Sequence, residues 1–153
     1  MSQTRLRSFD GTESHGVELR RPDRFRALRQ ELRHDGASIA RGAGLSYCAA
    51  SAGEGVRVLL SRGYDRLLAF DENTGIVEAE SGVTLGKLYE FSVPRGWILP
   101  VIPGHPSITL GGCAAADVHG KNQHREGAFS GVVDSLVLWH PEHGELVCSK
   151  TQN

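Results

Sequence analysis

Asp117, His119, Lys121, Asn122, Gln123 and His124 stand within the eight residues "DVHGKNQH", directly behind the small-residue run "GGCAAA". Imidazole, ammonium and amide groups at this density suit three tasks: holding a metal, lining the polar edge of a cofactor, or covering a solvated turn. A metal reading takes His119 and His124 as ligands in a cupin-like enzyme. Their H-x₄-H spacing matches no common structural zinc pattern, and a five-residue step along a helix turns the rings to different faces. No metal site is therefore expected. His140 and His143 flank Pro141 in an expected hairpin turn, where solvated rings are the usual case.

A second stretch with chemical potential is "ARGAGLSY", residues 40–47. Gly42 and Gly44 have the spacing of the first two positions of a dinucleotide fingerprint, but Tyr47 occupies the third and no amphipathic helix follows. A Rossmann site is disfavoured. What remains is a glycine loop leaving a strand, whose successive N–H groups turn inward to hold a phosphate or pyrophosphate while Ser46 adds a hydroxyl. A purely structural turn is the competing reading.

The third stretch is "LPVIPGHPSITLGGCAAADVHGKN". Pro100, Pro103 and Pro106 fix φ along extended backbone, Gly104 supplies a bend, and Thr109 caps a short helix from near Leu110. Gly111, Gly112 and residues 114–116 let a large flat ligand lie against backbone, with free N–H groups at the helix start bonding its polar edge. Tight helix-to-sheet packing would use the same small residues.

Around these stretches the sequence predicts strands at residues 17–20, 38–41, 56–60, 66–71 and 75–81, the last two joined across "ENTG". A helix opened by Pro22 carries Phe25, Leu28 and Leu32 on one face, and a second, capped by Thr84, carries Leu85, Leu88 and Tyr89. "VVDSLVLWH" and "GELVCSK" form a hairpin across "PEHG".

The chain has 153 residues with 17 Lys and Arg against 18 Asp and Glu, so its net charge of −1 draws no polyanion and no nucleic-acid partner is expected. Its first sixteen residues lack an apolar signal core, and a cytoplasmic location is expected. Residues 96–116 carry no Asp, Glu, Lys or Arg, but their prolines and glycines exclude a transmembrane segment and imply buried irregular backbone. Cys48, Cys113 and Cys148 form no CxxC pair and are expected as buried free thiols.

"ARGAGLSY", "VEAESGVTLGKL", "LPVIPGHPSITLGG" and "DVHGKNQH", in this order and at this spacing, resemble the flavin domain of the vanillyl-alcohol-oxidase-type (PCMH-type) FAD-binding superfamily. Within it they are most similar to the decaprenylphosphoryl-ribose oxidase-like branch and its sugar- and lactone-oxidising relatives. The likeness runs from about Val17 to Lys150, and its most specific part is "GG…DVHGKN".

The resemblance implies an α+β fold of small mixed sheets and a few helices enclosing an extended FAD. By it, Arg41, Gly42, Ala43, Gly44, Leu45, Ser46 and Tyr47 match the pyrophosphate-cradling segment, while Gly104, Thr109, Leu110, Gly111 and Gly112 match the segment lining the flavin. His119 matches a histidine beside the isoalloxazine, and Lys121 and Asn122 match polar residues between flavin and substrate. His119 and Lys121 become the catalytic candidates: a donor near flavin N1 favours hydride arrival at N5. The implied reaction oxidises a secondary alcohol of a small sugar-like or polyprenyl-sugar substrate.

Three departures qualify the match. Cys48 and Ala49 replace the family's usual Gly-Asp after Tyr47, His105 stands where threonine is common, and the first loop has no histidine, which implies non-covalent FAD. Family members also continue past "GELVCSK" into further strands and a substrate domain. The resemblance thus divides the chain into a flexible segment over residues 1–16 and an FAD-binding domain over 17–153, truncated at its C-terminal end. A second polypeptide completing the domain is a candidate partner. The remaining alternative is a non-catalytic partial flavin domain that exposes residues 96–116 to such a chain.

Overall fold

The computed structural model describes residues 4–140 and 142–152. They divide into two compact units, residues 4–98 with 105–112, and residues 99–104 with 113–140 and 142–152.

The first unit is built on a four-stranded sheet. Strands β1 (Thr4–Arg7), β2 (Glu13–Arg20), β3 (Ser38–Arg41) and β4 (Arg57–Leu60) lie in the order β1-β2-β4-β3. β4 pairs in parallel with both β2 and β3, and its side chains Arg57, Val58 and Leu59 are all buried, as befits the central strand of a parallel group. β1 pairs antiparallel with β2, so the segment expected to be flexible through residue 16 carries one strand and the first half of another.

Helix α1 (Phe25–Leu32) connects β2 to β3 but opens three residues later than Pro22 suggests, with Arg24 extended at its N-cap and none of its residues buried. Phe25 stacks on Tyr64 instead of entering the core. The buried Arg57 guanidinium is neutralised by Glu31 of α1 at 2.8 Å and by Glu18 of β2 at 3.2 Å.

Strands β5 (Leu67–Phe70) and β6 (Val77–Ala79) form the expected hairpin, whose turn is tied by Asp71 accepting from the Asn73 N–H at 2.9 Å. Helix α2 (Leu85–Ser92) carries the predicted cap, the Thr84 hydroxyl accepting from the Lys87 N–H at 3.2 Å; Leu85, Leu88 and Ser92 are buried, while Tyr89, expected on that face, is half-buried. Between β6 and α2 the Glu80 carboxylate is wholly buried. It accepts from the Arg66 backbone N–H at 2.7 Å and from its guanidinium at 2.5 and 2.9 Å. That pair fixes the chain just ahead of Ser81 and Gly82.

The second unit holds the end of helix α3 (Leu110–Ala115), the one-turn helix α4 (Gln123–Glu126), and strands β7 (Ser135–His140) and β8 (Gly144–Ser149). β7 and β8 pair antiparallel from Ser135↔Ser149 to His140↔Gly144. Their turn takes Gly144 to φ +70°; Pro141 of that turn lies outside the described residues. Val101, Cys113 and Phe129 are the buried apolar residues of this unit. The expectation of a wholly buried uncharged stretch fails at Ile98 and Ile102, which are exposed, although Val101 between them is not.

Candidate functional site

The glycine loop leaves the carboxyl end of β3, where a parallel strand delivers backbone to the rim of its sheet. Gly44 is buried and takes φ +73°, a left-handed conformation that glycine adopts without strain. Among the described residues, none of the N–H groups of residues 42–47 donates to a protein acceptor. Partly buried backbone donors normally find partners. Six in succession without one leave a run of donors open to an anion.

Arg41 lies beneath this loop with 7% of its surface exposed. Its Nη2 donates to the Arg7 carbonyl at 2.7 Å, and its Nη1 to the Ser51 carbonyl and hydroxyl at 3.3 and 3.2 Å. Burial lowers its pKa from the ordinary guanidinium value. The Cζ atom of Arg41 is 2.7 Å from where a Cβ on Gly44 would stand, so guanidinium and loop backbone touch. Ala43, Leu45 and Ser46 are half-buried, whereas Tyr47 is exposed and meets the exposed Phe9 edge to face at 5.9 Å.

The second small-residue segment belongs to the same unit and packs against the first. A Cβ on Gly42 would overlap the Thr109 hydroxyl and approach its methyl at 3.2 Å. Thr109 is held there by a bridge to Thr84, and the chain on either side is pinned by Leu85 N–H to the Ile108 carbonyl at 2.9 Å and Leu110 N–H to the Val83 carbonyl at 2.8 Å.

One expectation is corrected here. The N–H groups at the start of α3 are not free: Leu110 donates to Val83, Gly111 to the Ser81 carbonyl at 2.8 Å, and Gly112 to the Thr109 hydroxyl at 3.2 Å. Two backbone carbonyls and the Thr109 hydroxyl satisfy the donors that a cofactor was expected to take. Gly111 is small because a Cβ there would meet the Ser81 Cβ at 2.9 Å, so packing explains it directly. Gly104, in the other unit, is exposed with open space around its Cα.

In the second unit "DVHGKNQH" is a tight double turn. Asp117 adopts φ +41° and its carboxylate accepts the Ser130 N–H at 2.8 Å, while Gly120 bridges Pro103 and His119 bridges Ala128. A Cβ on Gly120 would overlap the Ile102 carbonyl. The Asn122 side-chain amide donates to the Pro100 carbonyl at 2.7 Å and the Asn122 backbone carbonyl accepts from the Arg125 and Glu126 N–H groups, so Asn122 organises the turn. His119 and Lys121 are exposed; among the described residues the His119 ring has one polar contact, Nδ1 to the Gly120 carbonyl at 3.4 Å, and Lys121 has none. The Gln123 and His124 side chains are exposed and likewise have no polar partner among the described residues.

His119 and His124 gain no third ligand. Among the described residues, the one group close enough to hold a metal is His140, Glu142 and His143, whose imidazoles stack at 4.6 Å. Nδ1 of His140 already accepts the N–H groups of Glu142 and His143. Cysteine burial is also corrected: Cys113 is buried, Cys148 half-buried and Cys48 exposed, and all three are free thiols. Among the described residues no helix is long and apolar enough to cross a membrane.

Arg7, Phe9, Ser51 and Ser81 escaped the sequence reading, since each acts through a fold contact that its local sequence does not advertise. Gly82 in "ESGVT" was the available signal for the last of them: a Cβ there would overlap the Ser61 and Tyr64 carbonyls, which marks the neighbourhood as tightly packed.

A parallel-strand loop of open donors, backed by a buried cation and a close-packed small-residue segment, defines a domain for an extended anionic ligand. The chain belongs to the PCMH-type FAD-binding family, whose profile, described as an FAD binding domain, matches residues 17–149. Over 100 residues it is 37% identical to the decaprenylphosphoryl-beta-D-ribose oxidase of Mycolicibacterium smegmatis (strain ATCC 700084 / mc(2)155), covering 65% of this chain and 22% of that protein. Over 104 residues it is 30% identical to a D-lactate dehydrogenase of Anaerostipes hadrus, covering 68% of this chain and 22% of that protein. Among solved structures it is similar to a chitooligosaccharide oxidase, with TM-score 0.76 and 18% identity over 89% of this chain and 31% of that one. An alkyldihydroxyacetonephosphate synthase gives TM-score 0.74 at 19% identity, over 88% and 27%. At these identities the structural likeness is one of fold. The chain spans less than a third of the length of each of these proteins.

Proposed function

We propose that this chain forms the FAD-binding part of a flavin oxidoreductase that oxidises a secondary alcohol of a sugar-like or polyprenyl-sugar substrate, with FAD held non-covalently. The observation that carries the reading is the run of uncommitted N–H groups over residues 42–47, set above the buried Arg41. Those residues fit a pyrophosphate: among the described residues their N–H groups have no protein acceptor, and Gly44 takes the left-handed conformation that turns the loop over Arg41. Bound FAD would supply a hydride acceptor at N5.

The chain's own contributions are binding and polarisation. Backbone amides of residues 42–46 hold the diphosphate, and the close contact of Gly42 with Thr109 excludes water from beneath the loop. His119, whose ring is free apart from one long contact to its neighbour, donates toward the flavin edge, and Lys121 orients the substrate hydroxyl. The sugar-like substrate is favoured by the oxidase names of two relatives. The test is the visible spectrum of the purified chain titrated with FAD, followed by mass spectrometry of the denatured protein. Saturable FAD binding with no covalent adduct is expected; failure to bind FAD sinks the reading.

A second reading, in which the domain works together with another polypeptide, is favoured by apolar side chains exposed on successive residues of β7 (Leu136, Val137 and Leu138) and at Val147 of β8. Co-purification of a stoichiometric second chain from the native host is its test.

A further inference from the structure

Six arginines stand within residues 20–33, against two carboxylates, Asp23 and Glu31. The net charge of −1 hides this segregation, because the surplus of acid lies elsewhere in the sequence. Both carboxylates are already engaged: Asp23 lies 3.8 Å from Arg24, and Glu31 turns inward to the buried Arg57 at 2.8 Å, with Arg20 at 3.7 Å. Nothing acidic is left to offset the outer face of α1.

That face is built by helical spacing. Arg26, Arg29 and the C-cap Arg33 follow one another at steps of three and four, so their guanidiniums form one exposed row on the side away from Glu31. The row is about 10 Å long. Phe25, Gln30 and these three arginines line a groove of about 360 Å³ that contains no carboxylate. Arg26 and Arg33 have no polar partner among the described residues.

We propose that the outer face of α1 docks this protein on an anionic phospholipid surface, the arginine row pairing with headgroup phosphates. Guanidinium grips phosphate through two parallel N–H bonds, and each basic residue close to an acidic leaflet adds a similar increment of binding. Phe25 favours lipid over nucleic acid as the occupant. Its ring stacks on Tyr64 at 6.5 Å and lies under the Arg29 guanidinium at 4.9 Å, which makes it a poor platform for a base, while its exposed part flanks the row as an interfacial aromatic does. The inference stands apart from the flavin reading, since neither the glycine loop nor residues 104–124 take part.

The test is co-flotation of the full chain with vesicles of phosphatidylcholine mixed with phosphatidylserine, and of phosphatidylcholine alone, for wild type, R26Q/R33Q and R95Q/R125Q. The last pair removes the same charge from exposed arginines elsewhere. Wild type should float with the acidic vesicles and not with the neutral ones, and added salt should release it. R26Q/R33Q should lose roughly 30-fold in vesicle affinity, about fivefold for each arginine, whereas R95Q/R125Q stays level.

Failure of wild type to bind acidic vesicles overturns the inference, as does equal binding to neutral ones. Equal loss in the two double variants overturns it too, since net charge alone would then be at work. A DNA duplex that strips wild type from the vesicles at equal phosphate concentration assigns the face to nucleic acid and overturns the lipid reading. Should R26Q/R33Q fail to fold, the single variants R26Q and R33Q decide: a loss of about fivefold in each supports the row, and wild-type affinity in both overturns it.

Discussion

Gly42 presents its Cα directly to the hydroxyl of Thr109, sixty-seven positions away in sequence, with no room for a methyl group between them. The two small-residue segments therefore form one continuous surface within the first unit. G42A should force the Thr109 hydroxyl out of its bond with the Gly112 N–H, at a cost of about 1–3 kcal/mol. T109A alone loses that cap and costs about 1 kcal/mol. The double variant should be less destabilised than the sum, by about 1 kcal/mol or more in urea unfolding, because the crowding atom has gone. Strict additivity would show that the two segments do not bear on each other.

Gly44 combines a left-handed φ with contact against Arg41, so G44V should suffer doubly. Backbone strain of about 1–2 kcal/mol adds to displacement of the guanidinium. Loss of measurable FAD binding is expected in a titration, with the β7–β8 hairpin, in the other unit, still giving its native amide chemical shifts.

His119 and Gly120 are neighbours with opposite expectations. H119A removes an exposed ring, so stability should change by less than about 0.5 kcal/mol and FAD should still bind, while reduction of the flavin by substrate slows. G120A pushes a carbon into the Ile102 carbonyl and should cost about 3 kcal/mol. Thermal melts of the two variants, with anaerobic reduction of H119A, check both halves.

Burial pushes the Cys113 thiol up to about 12, well above the ordinary thiol range. Because the folded pKa is the higher, the stability contributed by the neutral thiol is fully present below pH ~9 and is lost as the pH rises toward 12. C113A should flatten that alkaline decline in urea midpoints, apart from its general cavity cost. A thiol reagent at neutral pH should label exposed Cys48 rapidly and Cys113 only after unfolding.

What could be read in the sequence was what local rules govern. The Thr84 cap, the Leu85 and Leu88 face of α2 and the hairpin of β7 and β8 needed only neighbouring residues. The glycine loop was visible for the same reason. Residues 4–16 read as a loose leader because their pairing is set by one another across a turn, with an irregular register between Thr4 and Leu6. The N–H groups at the start of α3 were expected to be open, since nothing near Leu110 and Gly111 announces the Val83 and Ser81 carbonyls that take theirs. Arg41 was recognised as part of the loop, but that its charge lies buried among neutral oxygens depends on Arg7 and Ser51 arriving from elsewhere.

Gly82, wedged against the carbonyls of Ser61 and Tyr64, carries a lesson for anyone who would evolve this domain. A library randomised across residues 80–83 should return every survivor with hydrogen as its side chain at that one site, whatever ligand is screened for. New specificity must therefore be sought in the outward-facing rims, because this crowded point of the architecture tolerates no drift.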